Sequence, residues 1–502
     1  MKIMNGLLLG TAAGFMAASG AQAADLPLKA KPVQYVKICS LYGDGYYYIP
    51  GTDTCIKIGG YVREDVAWNA AGGRTPAYSG TQGAQDRTVS ALSSRARGNV
   101  AIDTRTQTPY GTLRTLTSLH FQNQNQTESF NLQRAFIQWA GFTFGRMKSF
   151  SDVWSLDDYW NIEQQQTGSD TGADGVNSIA YTFDLGAGGS LNIGADERRT
   201  KSLTNLSVAT ALKVGAEPND THQGEQWPDA YINLRVDQAW GSAGVTGGIH
   251  NVNATYYSGN NVAFNGFAGC GQASTTQCGH PSDRVGFFVM GGGELKLPIL
   301  GPGDRIGADI RYSQGASGYG GGSNLSSPSL FDTGNHLAVG WMTDGVYVNG
   351  SGIELTTAWT VQGGYSHNWS PTFYSTIFAG YSNISYDSTA KGYFAGAACT
   401  AAGAGGAAAQ TAVNFGVGAA GANNCSPNWS YLETGVKSTW TPVPGLTFST
   451  ETLYTYVWSG FTGGANILSS APGARPTGIY SVSNQGIWSS YFRVQRNFNT
   501  GE

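Results

Sequence analysis

Apolar and polar residues alternate along most of the chain in segments of about ten residues, with the period of a β-strand. Ile56 and Ile58 flank Lys57, for example, and the same pattern recurs in residues 95–103 and 306–311. A strand of this kind has one apolar face, which must be buried in a protein core or in lipid.

Sixteen such segments are predicted, and this even number places both ends of the sheet on the same side. Their starts lie near residues 55, 94, 110, 129, 142, 176, 189, 229, 242, 285, 304, 354, 372, 428, 446 and 487. Residues 203–214 and 336–348 could each be taken as a further strand. A closed barrel of sixteen strands is too wide for side chains to fill, so an aqueous channel is expected.

The connections between the segments are of two kinds. Short connections include residues 240–242, 368–372 and 441–445. The long ones span residues 70–93, 148–175, 199–228, 257–284, 316–353, 388–427 and 459–486. Short periplasmic turns and long external loops are typical of an antiparallel transmembrane barrel in a bacterial outer membrane. Aromatic residues beside the short turns, such as Trp240 and Trp369, fit an interfacial girdle around such a barrel.

The N-terminus has the pattern of a secretory signal. Lys2 precedes an apolar run at residues 7–18, and Ala21-Gln22-Ala23 forms a small-x-small cleavage site. The run is too short to span a bilayer, which argues against a membrane anchor. We therefore expect cleavage after residue 23, a periplasmic segment at 24–54, the barrel at 55–498 and a short tail at 499–502.

The composition supports a membrane location. Charged residues make up only 12% of the chain and aromatic residues another 12%, with 72 glycines. This balance suits a barrel with lipid outside and a polar lumen inside. The formal net charge is −4 and no basic run occurs, which disfavours nucleic acid as a partner.

The chemistry of the sequence does not indicate an enzyme. There is no G-x-S-x-G, P-loop or H-E-x-x-H motif, and the six histidines are scattered. No cofactor and no metal are expected, because C-x-x-C pairs and clustered histidines are also missing from the sequence.

The six cysteines fall into three local pairs, which suggests disulfides in an exported chain. The predicted pairs are Cys39–Cys55, Cys270–Cys278 and Cys399–Cys425. Six cysteines allow 15 pairings, so this local pairing is a hypothesis based on spacing.

Charged residues predict a pore constriction. Arginines at polar positions of the first four strands and the last strand would form a basic wall; they are Arg63, Arg95, Arg97, Arg114, Arg134 and Arg493. The connection at 148–175 is acidic instead and includes Asp152, Asp157, Asp158 and Glu163. If it folds inward, its acids face the arginines, and a pair about 10 Å apart would contribute about 1–2 kcal/mol. A solvated acidic loop outside the barrel remains the alternative.

Several motifs also resemble a known family. The run from Tyr35 to Arg63, which contains Cys39 and Cys55, closely resembles the N-terminal signature of the alphaproteobacterial porins. Further similar segments lie at residues 111–115, 360–369, 485–488 and 494–498. The chain departs from the family at its end, because Asn-Thr-Gly-Glu follows Phe498 where the family typically finishes near an aromatic residue.

The resemblance implies a general diffusion porin that passes ions and small hydrophilic solutes. It also implies a homotrimer of sixteen-stranded barrels, with the third external loop folded into each lumen. The connection at 148–175 takes that position if the tight turn at 123–128 is counted as the second external loop. A solute-selective porin, for example for sugars, is the nearest alternative. A secreted β-rich adhesin or hydrolase is the alternative from another class, and it would stay soluble and monomeric without detergent.

Overall fold

Sixteen antiparallel strands form the barrel in the computed structural model. The structure describes residues 37–69, 90–154, 159, 171, 175–207, 219–258, 278–322, 329–331, 336–399, 414–415, 424–467 and 478–499. The strands are β1 (Cys55–Trp68), β2 (Leu92–Thr108), β3 (Gly111–Gln124), β4 (Thr127–Trp139), β5 (Phe142–Met147), β6 (Val176–Gly186), β7 (Gly189–Asp196), β8 (Asp229–Gln238), β9 (Gly241–Val252), β10 (Arg284–Lys296), β11 (Arg305–Gln314), β12 (Thr357–Ser370), β13 (Phe373–Ser385), β14 (Trp429–Val443), β15 (Leu446–Trp458) and β16 (Gln485–Phe498).

The barrel closes because β1 pairs with both β2 and β16. Each predicted strand start lies within three residues of the observed one, so the predicted fold class and strand count are confirmed. In the described residues of the two ambiguous segments, 203–207 and 336–348, the strands are short and pair outside the main sheet; they are Leu203–Asn205, His336–Val339 and Gly345–Tyr347.

The period of two in the sequence corresponds to an outer apolar face and an inner polar face. On β11, Ile306 and Ile310 are 42% and 61% exposed, whereas Asp309 and Arg311 are 3% and 0% exposed. Successive side chains of a strand point to opposite faces, so the exposed isoleucines lie on the lipid side. No helix in the described part of the chain is long and apolar enough to cross a bilayer.

The second external connection is the exception to the rule that external loops are long. Only Asn125 and Gln126 join β3 to β4, and both have positive φ angles, 49° and 68°. A two-residue turn of this kind matches the twist of the paired strands. Its presence makes the β5–β6 connection, residues 148–175, the third external one.

Within the described residues, parts of at least three connections lie inside the barrel, whereas the sequence predicted one. The described residues of the β5–β6 connection, 148–154, 159, 171 and 175, lie inward as predicted, and we call residues 148–175 the constriction loop. The β7–β8 and β11–β12 connections also lie against the inner wall, where Leu203–Asn205 pairs in parallel with Gly345–Tyr347. Tyr319, in the short helix α1 (Ser317–Gly320), stacks on Phe288 of β10 with ring centroids 3.8 Å apart.

Apolar residues of these connections form a core within the external half of the barrel. Trp341 and Met342 of the β11–β12 connection are buried together with Trp429 of β14 and Val457 of β15. Phe394 of helix α2 (Ser388–Ala398) belongs to the same cluster, and Asp387 caps that helix through the backbone N–H of Ala390. This core holds the connections in place by burial of apolar surface.

Two predicted disulfides are present. Cys39 bonds to Cys55, and Cys399 bonds to Cys425. Cys270 lies outside the described residues, as do the predicted signal peptide at 1–23 and residues 500–502 of the predicted tail. The first disulfide holds residues 37–54 against the start of β1, where the two-residue strand Tyr47–Tyr48 pairs with Cys55 and Ile56.

Candidate permeation pathway

Four of the predicted arginines lie together on the inner wall. The register places Asp65 of β1 opposite Arg95 of β2 and Arg493 of β16. One step of the inner face nearer the periplasm, Arg63 lies opposite Arg97. Neighbouring strands are about 4.8 Å apart, so these side chains form one continuous basic surface. We call Arg63, Arg95, Arg97 and Arg493 the arginine wall.

Asp65 is the acid at the centre of the arginine wall. Its carboxylate lies 2.9 Å from Nε of Arg95 and 2.6 Å from Nε of Arg493. Nε of Arg63 is 3.3 Å away. Arg97 instead donates from Nε to the amide oxygen of Gln122 at 2.8 Å. The four arginines of the wall and Asp65 together carry a formal charge of +3.

Arg114 belongs to a separate group near the periplasmic end. It lies 2.9 Å from Asp103, which Arg105 also contacts at 3.1 Å. Arg105 and Arg97 are eight residues apart on β2, or about 27 Å, so Arg114 is distant from the arginine wall. Tyr46 of the N-terminal segment packs here, and burial together with a hydrogen bond to Asp103 raises the pKa of Tyr46 to about 12.

Arg134 lies at a β-bulge of β4. The register with β3 shifts between Ser118 and Leu119, which gives β4 one extra residue. Nη1 of Arg134 donates to the carbonyl of Gln133 at 2.9 Å, and it lies beside Gly175 at the end of the constriction loop. The structure therefore places Arg134 next to that loop, separately from the arginine wall.

The constriction loop runs from β5 to the opposite wall. The Ser149 hydroxyl donates to Asp196 of β7 at 2.5 Å. Arg235 of β8 donates to the carbonyl of Val153 at 3.2 Å, and Arg311 of β11 donates to that of Trp154 at 2.9 Å. These contacts attach the first part of the loop to three strands beyond the one from which it starts.

Two aromatic residues of the constriction loop fit against glycines of the wall. An added Cβ at Gly307 would lie 2.2 Å from the indole ring of Trp154, and one at Gly364 would lie 2.6 Å from Tyr159. The Tyr159 hydroxyl also donates to Glu294 of β10 at 2.8 Å. Glycine is required at both strand positions because the rings occupy the space of a side chain.

The predicted acids of the constriction loop do not meet the arginine wall within the described residues. Asp152 is buried, accepts hydrogen bonds from the backbone and side chain of Thr171, and lies 3.6 Å from Arg199. Arg199 belongs to the β7–β8 connection. Asp157, Asp158 and Glu163 lie outside the described residues, and their place in the constriction stays a prediction. Among the residues that the structure describes, no group of three metal-ligating side chains could hold a metal ion.

A sequence profile of the porin subfamily matches residues 25–474 of this chain. The chain belongs to that subfamily. Porin Omp2b of Brucella suis is 37% identical over 263 residues, which cover 48% of this chain and 64% of Omp2b. Porin Omp2b of Brucella melitensis gives the same identity and coverage. The match thus spans slightly less than two thirds of the length of these relatives.

The solved structure of the outer membrane channel DcaP of Acinetobacter baumannii has the same fold. Its TM-score is 0.51 at 14% identity, and the alignment covers 90% of this chain and 99% of DcaP. The subfamily match over residues 25–474 confirms the predicted family, and with it the predicted location in the bacterial outer membrane.

Several charged residues of this porin were not predicted as part of the site. Asp65 and Asp103 each hold two or more arginines, and Arg235 and Arg311 hold the constriction loop. Asp65 lies two residues from Arg63 on the same face of β1, which is the signal that could have identified it. The partners of Arg235 and Arg311 are backbone carbonyls, for which a sequence contains no comparable signal.

Proposed function

We propose that this porin is a channel, and not an enzyme, through which ions and small hydrophilic solutes diffuse passively across the outer membrane. The observation that carries the proposal is the charged inner wall of a closed barrel. Arg95 and Asp65 face inward between strands whose outward positions are apolar, such as Val62. Charges at these positions stabilise polar solutes and ions in a lumen, and they would destabilise a dry core.

The arginine wall favours anions in this channel. Its charge of +3 attracts anions and repels cations in the adjacent part of the lumen. The acids of the constriction loop that lie outside the described residues, Asp157, Asp158 and Glu163, act in the opposite direction if they face this wall. The net preference is therefore a balance between the wall and the loop.

Single-channel recording in a planar bilayer tests the channel function. The purified protein should give discrete conductance steps in potassium chloride, with a current that grows in proportion to voltage. Insertion without conductance would contradict the proposal. Addition of small sugars separates a general from a solute-selective porin. Sugar at about 1 mM should block the current only through a selective porin, which would bind it with about 4 kcal/mol.

We further propose that three copies assemble through the outer face of β1–β5. Glu64 is exposed on the outer face of β1, between Val62 and Val66. Arg146 lies on the outer face of β5 and donates to the carbonyl of Leu132. The outward positions of the described strands β6–β15 hold no Asp, Glu, Lys or Arg. A basic residue facing lipid at mid-membrane costs about 2–4 kcal/mol and an acidic one less, so contact with another copy is favoured for this face.

Cysteine crosslinking tests the assembly face. Glu64→Cys should give a crosslinked dimer on a denaturing gel, because in a trimer the β1–β5 face of each copy turns towards the three-fold axis, where the same residue of neighbouring copies comes close. Thr452→Cys, on the outer face of β15, is the matched control and should give none. A monomer mass in detergent by light scattering, or equal crosslinking of the two variants, would contradict this assembly.

A further inference from the structure

A buried imidazole lies between two carboxylates inside the barrel. Nδ1 of His250, on the inner face of β9, is 2.8 Å from Asp229, and Nε2 is 3.4 Å from Asp344. All three side chains have no exposed surface. A neutral imidazole donates from only one nitrogen, so a carboxylate at each nitrogen favours the imidazolium.

Asp344 ties together two connections that lie in the lumen. It belongs to the β11–β12 connection and accepts hydrogen bonds from the backbone N–H of Lys201 at 2.6 Å and of Ser317 at 2.8 Å. Burial alone would raise the pKa of Asp344, but contacts with His250 and His222 lower it below its usual value. Asp344 therefore stays ionised well below neutral pH and depends on a cation beside it.

Asp229 extends the same network to the constriction loop. It accepts the hydroxyl of Tyr319 at 2.8 Å and the backbone N–H of Arg199 at 3.0 Å. The guanidinium of Arg199 lies 4.3 Å from the centre of the Tyr319 ring. The same group is 3.6 Å from Asp152 of the constriction loop.

Other titratable groups border this network. Nε2 of His222 is 4.0 Å from Asp344, and its Nδ1 is 2.7 Å from Asp220. Asp196 of β7 acts electrostatically on both Arg199 and Tyr319. His250 is the imidazole that lies within 3.5 Å of two of these carboxylates, so its proton has the largest effect on them.

We propose that His250 is a positioning residue for permeation. Its imidazolium holds the β11–β12 connection and, through Arg199, the constriction loop inside the lumen. Loss of its proton in alkali leaves two buried carboxylates facing a neutral ring, and the connections then leave the lumen. The permeation part of this proposal rests on the proposed channel function.

Trypsin cleavage of the protein in liposomes tests the release of the connections directly. Among the described residues of the β7–β8 connection, Arg198, Arg199 and Lys201 are trypsin sites, and the backbone of Lys201 is bound to Asp344. Mass spectrometry of the fragments separates cleavage at these three residues from cleavage at Lys213, which lies outside the described residues. Release of one proton should raise the cleavage rate by up to about tenfold for each pH unit above about pH 6.5, the ordinary pKa of an exposed histidine, and the rise should level off in alkali. The rate is corrected for the pH dependence of trypsin with a soluble peptide, and gel mobility without heating confirms that the barrel stays folded.

Two variants and a control assign this effect to His250. His250→Gln should be cleaved rapidly at every pH, with a flat profile. Asp344→Asn removes the carboxylate that faces Nε2 of His250, so this variant should also be cleaved rapidly. His222→Gln, which removes the neighbouring imidazole, should keep the profile of the unmodified protein. A flat profile in the unmodified protein, or a flat profile in His222→Gln alone, would overturn the proposal.

Conductance separates this proposal from the proposed channel function. Conductance of the unmodified protein should rise with pH in step with cleavage, and that of His250→Gln should be high and constant. If cleavage follows the expected profiles but conductance stays constant, the role of His250 in permeation is overturned while the channel stands. If no variant conducts at any pH, the channel function itself fails.

Discussion

Replacement of Arg97 by glutamine removes one charge from the arginine wall with little other disturbance. Arg97 donates to the neutral Gln122, so the replacement leaves the contacts of Asp65 with Arg63, Arg95 and Arg493 in place. A glutamine at position 97 is shorter and can still bond to Gln122 across the strand pair. The formal charge of the wall falls from +3 to +2.

The size of the effect follows from Coulomb's law. For an ion that passes about 5 Å from the guanidinium, one unit charge contributes about 0.8 kcal/mol in water. Screening at 0.1 M salt, where the Debye length is about 10 Å, reduces this to about 0.5 kcal/mol. That energy lowers the local anion concentration about 2.3-fold and raises the cation concentration by the same factor. The anion-to-cation permeability ratio should therefore fall about fivefold, and a lower dielectric constant in the lumen would increase this change.

Reversal potentials across a potassium chloride gradient measure that ratio. The control is Arg496→Gln, because Arg496 lies on the outer face at the periplasmic end of β16 and bonds to the carbonyl of Pro444. The control should keep the ratio of the unmodified protein. A change of less than about 1.5-fold in Arg97→Gln, or an equal change in the control, would refute the inward position of the wall charge in the permeation path.

Three further predictions concern the constriction loop, the N-terminal segment and a periplasmic turn. Gly307→Ala places a Cβ 2.2 Å from the Trp154 ring. This variant should push the loop towards the pore axis and lower single-channel conductance. Gly291→Ala is the control: its added Cβ would lie 3.9 Å from the nearest atom, so conductance should stay unchanged. Joint replacement of Cys39 and Cys55 by serine should lower the free energy of unfolding by about 3 kcal/mol in denaturant titrations, and an unchanged midpoint would show that the disulfide contributes nothing. Burial alone would raise the pKa of Asp304, but hydrogen bonds from Asn368, His367 and Tyr365 lower it. The stability that Asp304 contributes is present above its usual pKa and is lost as pH falls through the lowered value. The temperature at which the barrel unfolds, read from gel mobility, should therefore fall between about pH 5 and about pH 2, and it should fall less in Asp304→Asn. Identical profiles for the two proteins would contradict a contribution of Asp304 to stability.

The strands could be predicted because each one separates lipid from the lumen. That environment enforces alternation over the whole length of a strand such as β11, where every outward residue from Ile306 to Tyr312 is exposed. The connections are not under this constraint. Residues 336–356 form only short strands and pack around Trp341 and Asp344, and no simple period marks such packing. A sequence pattern therefore predicts the wall of the barrel better than the chain segments inside it.

The candidate site shows the same division. The arginines were predicted because polar positions of β1, β2 and β16 point inward, and register alone brings Arg95 and Arg493 to Asp65. The partner of Asp152 could not be predicted, since Arg199 approaches from a connection 47 residues further along the chain. Gly307 and Gly364 offered a usable signal, because a glycine inside a strand indicates close approach by another group.

The position and the charge of the constriction loop depend on different atoms. Arg235 and Arg311 bind the loop through backbone carbonyls of Val153 and Trp154, and each arginine is neutralised by an aspartate on its own strand, Asp237 or Asp309. Substitution at positions 153 and 154 does not remove those carbonyls, so the loop can keep this attachment while its side chains change. The acids further along the loop can then vary in number without loss of the inward position. Ion preference in this porin can thus change by substitution in the loop while the strands that hold it stay constant.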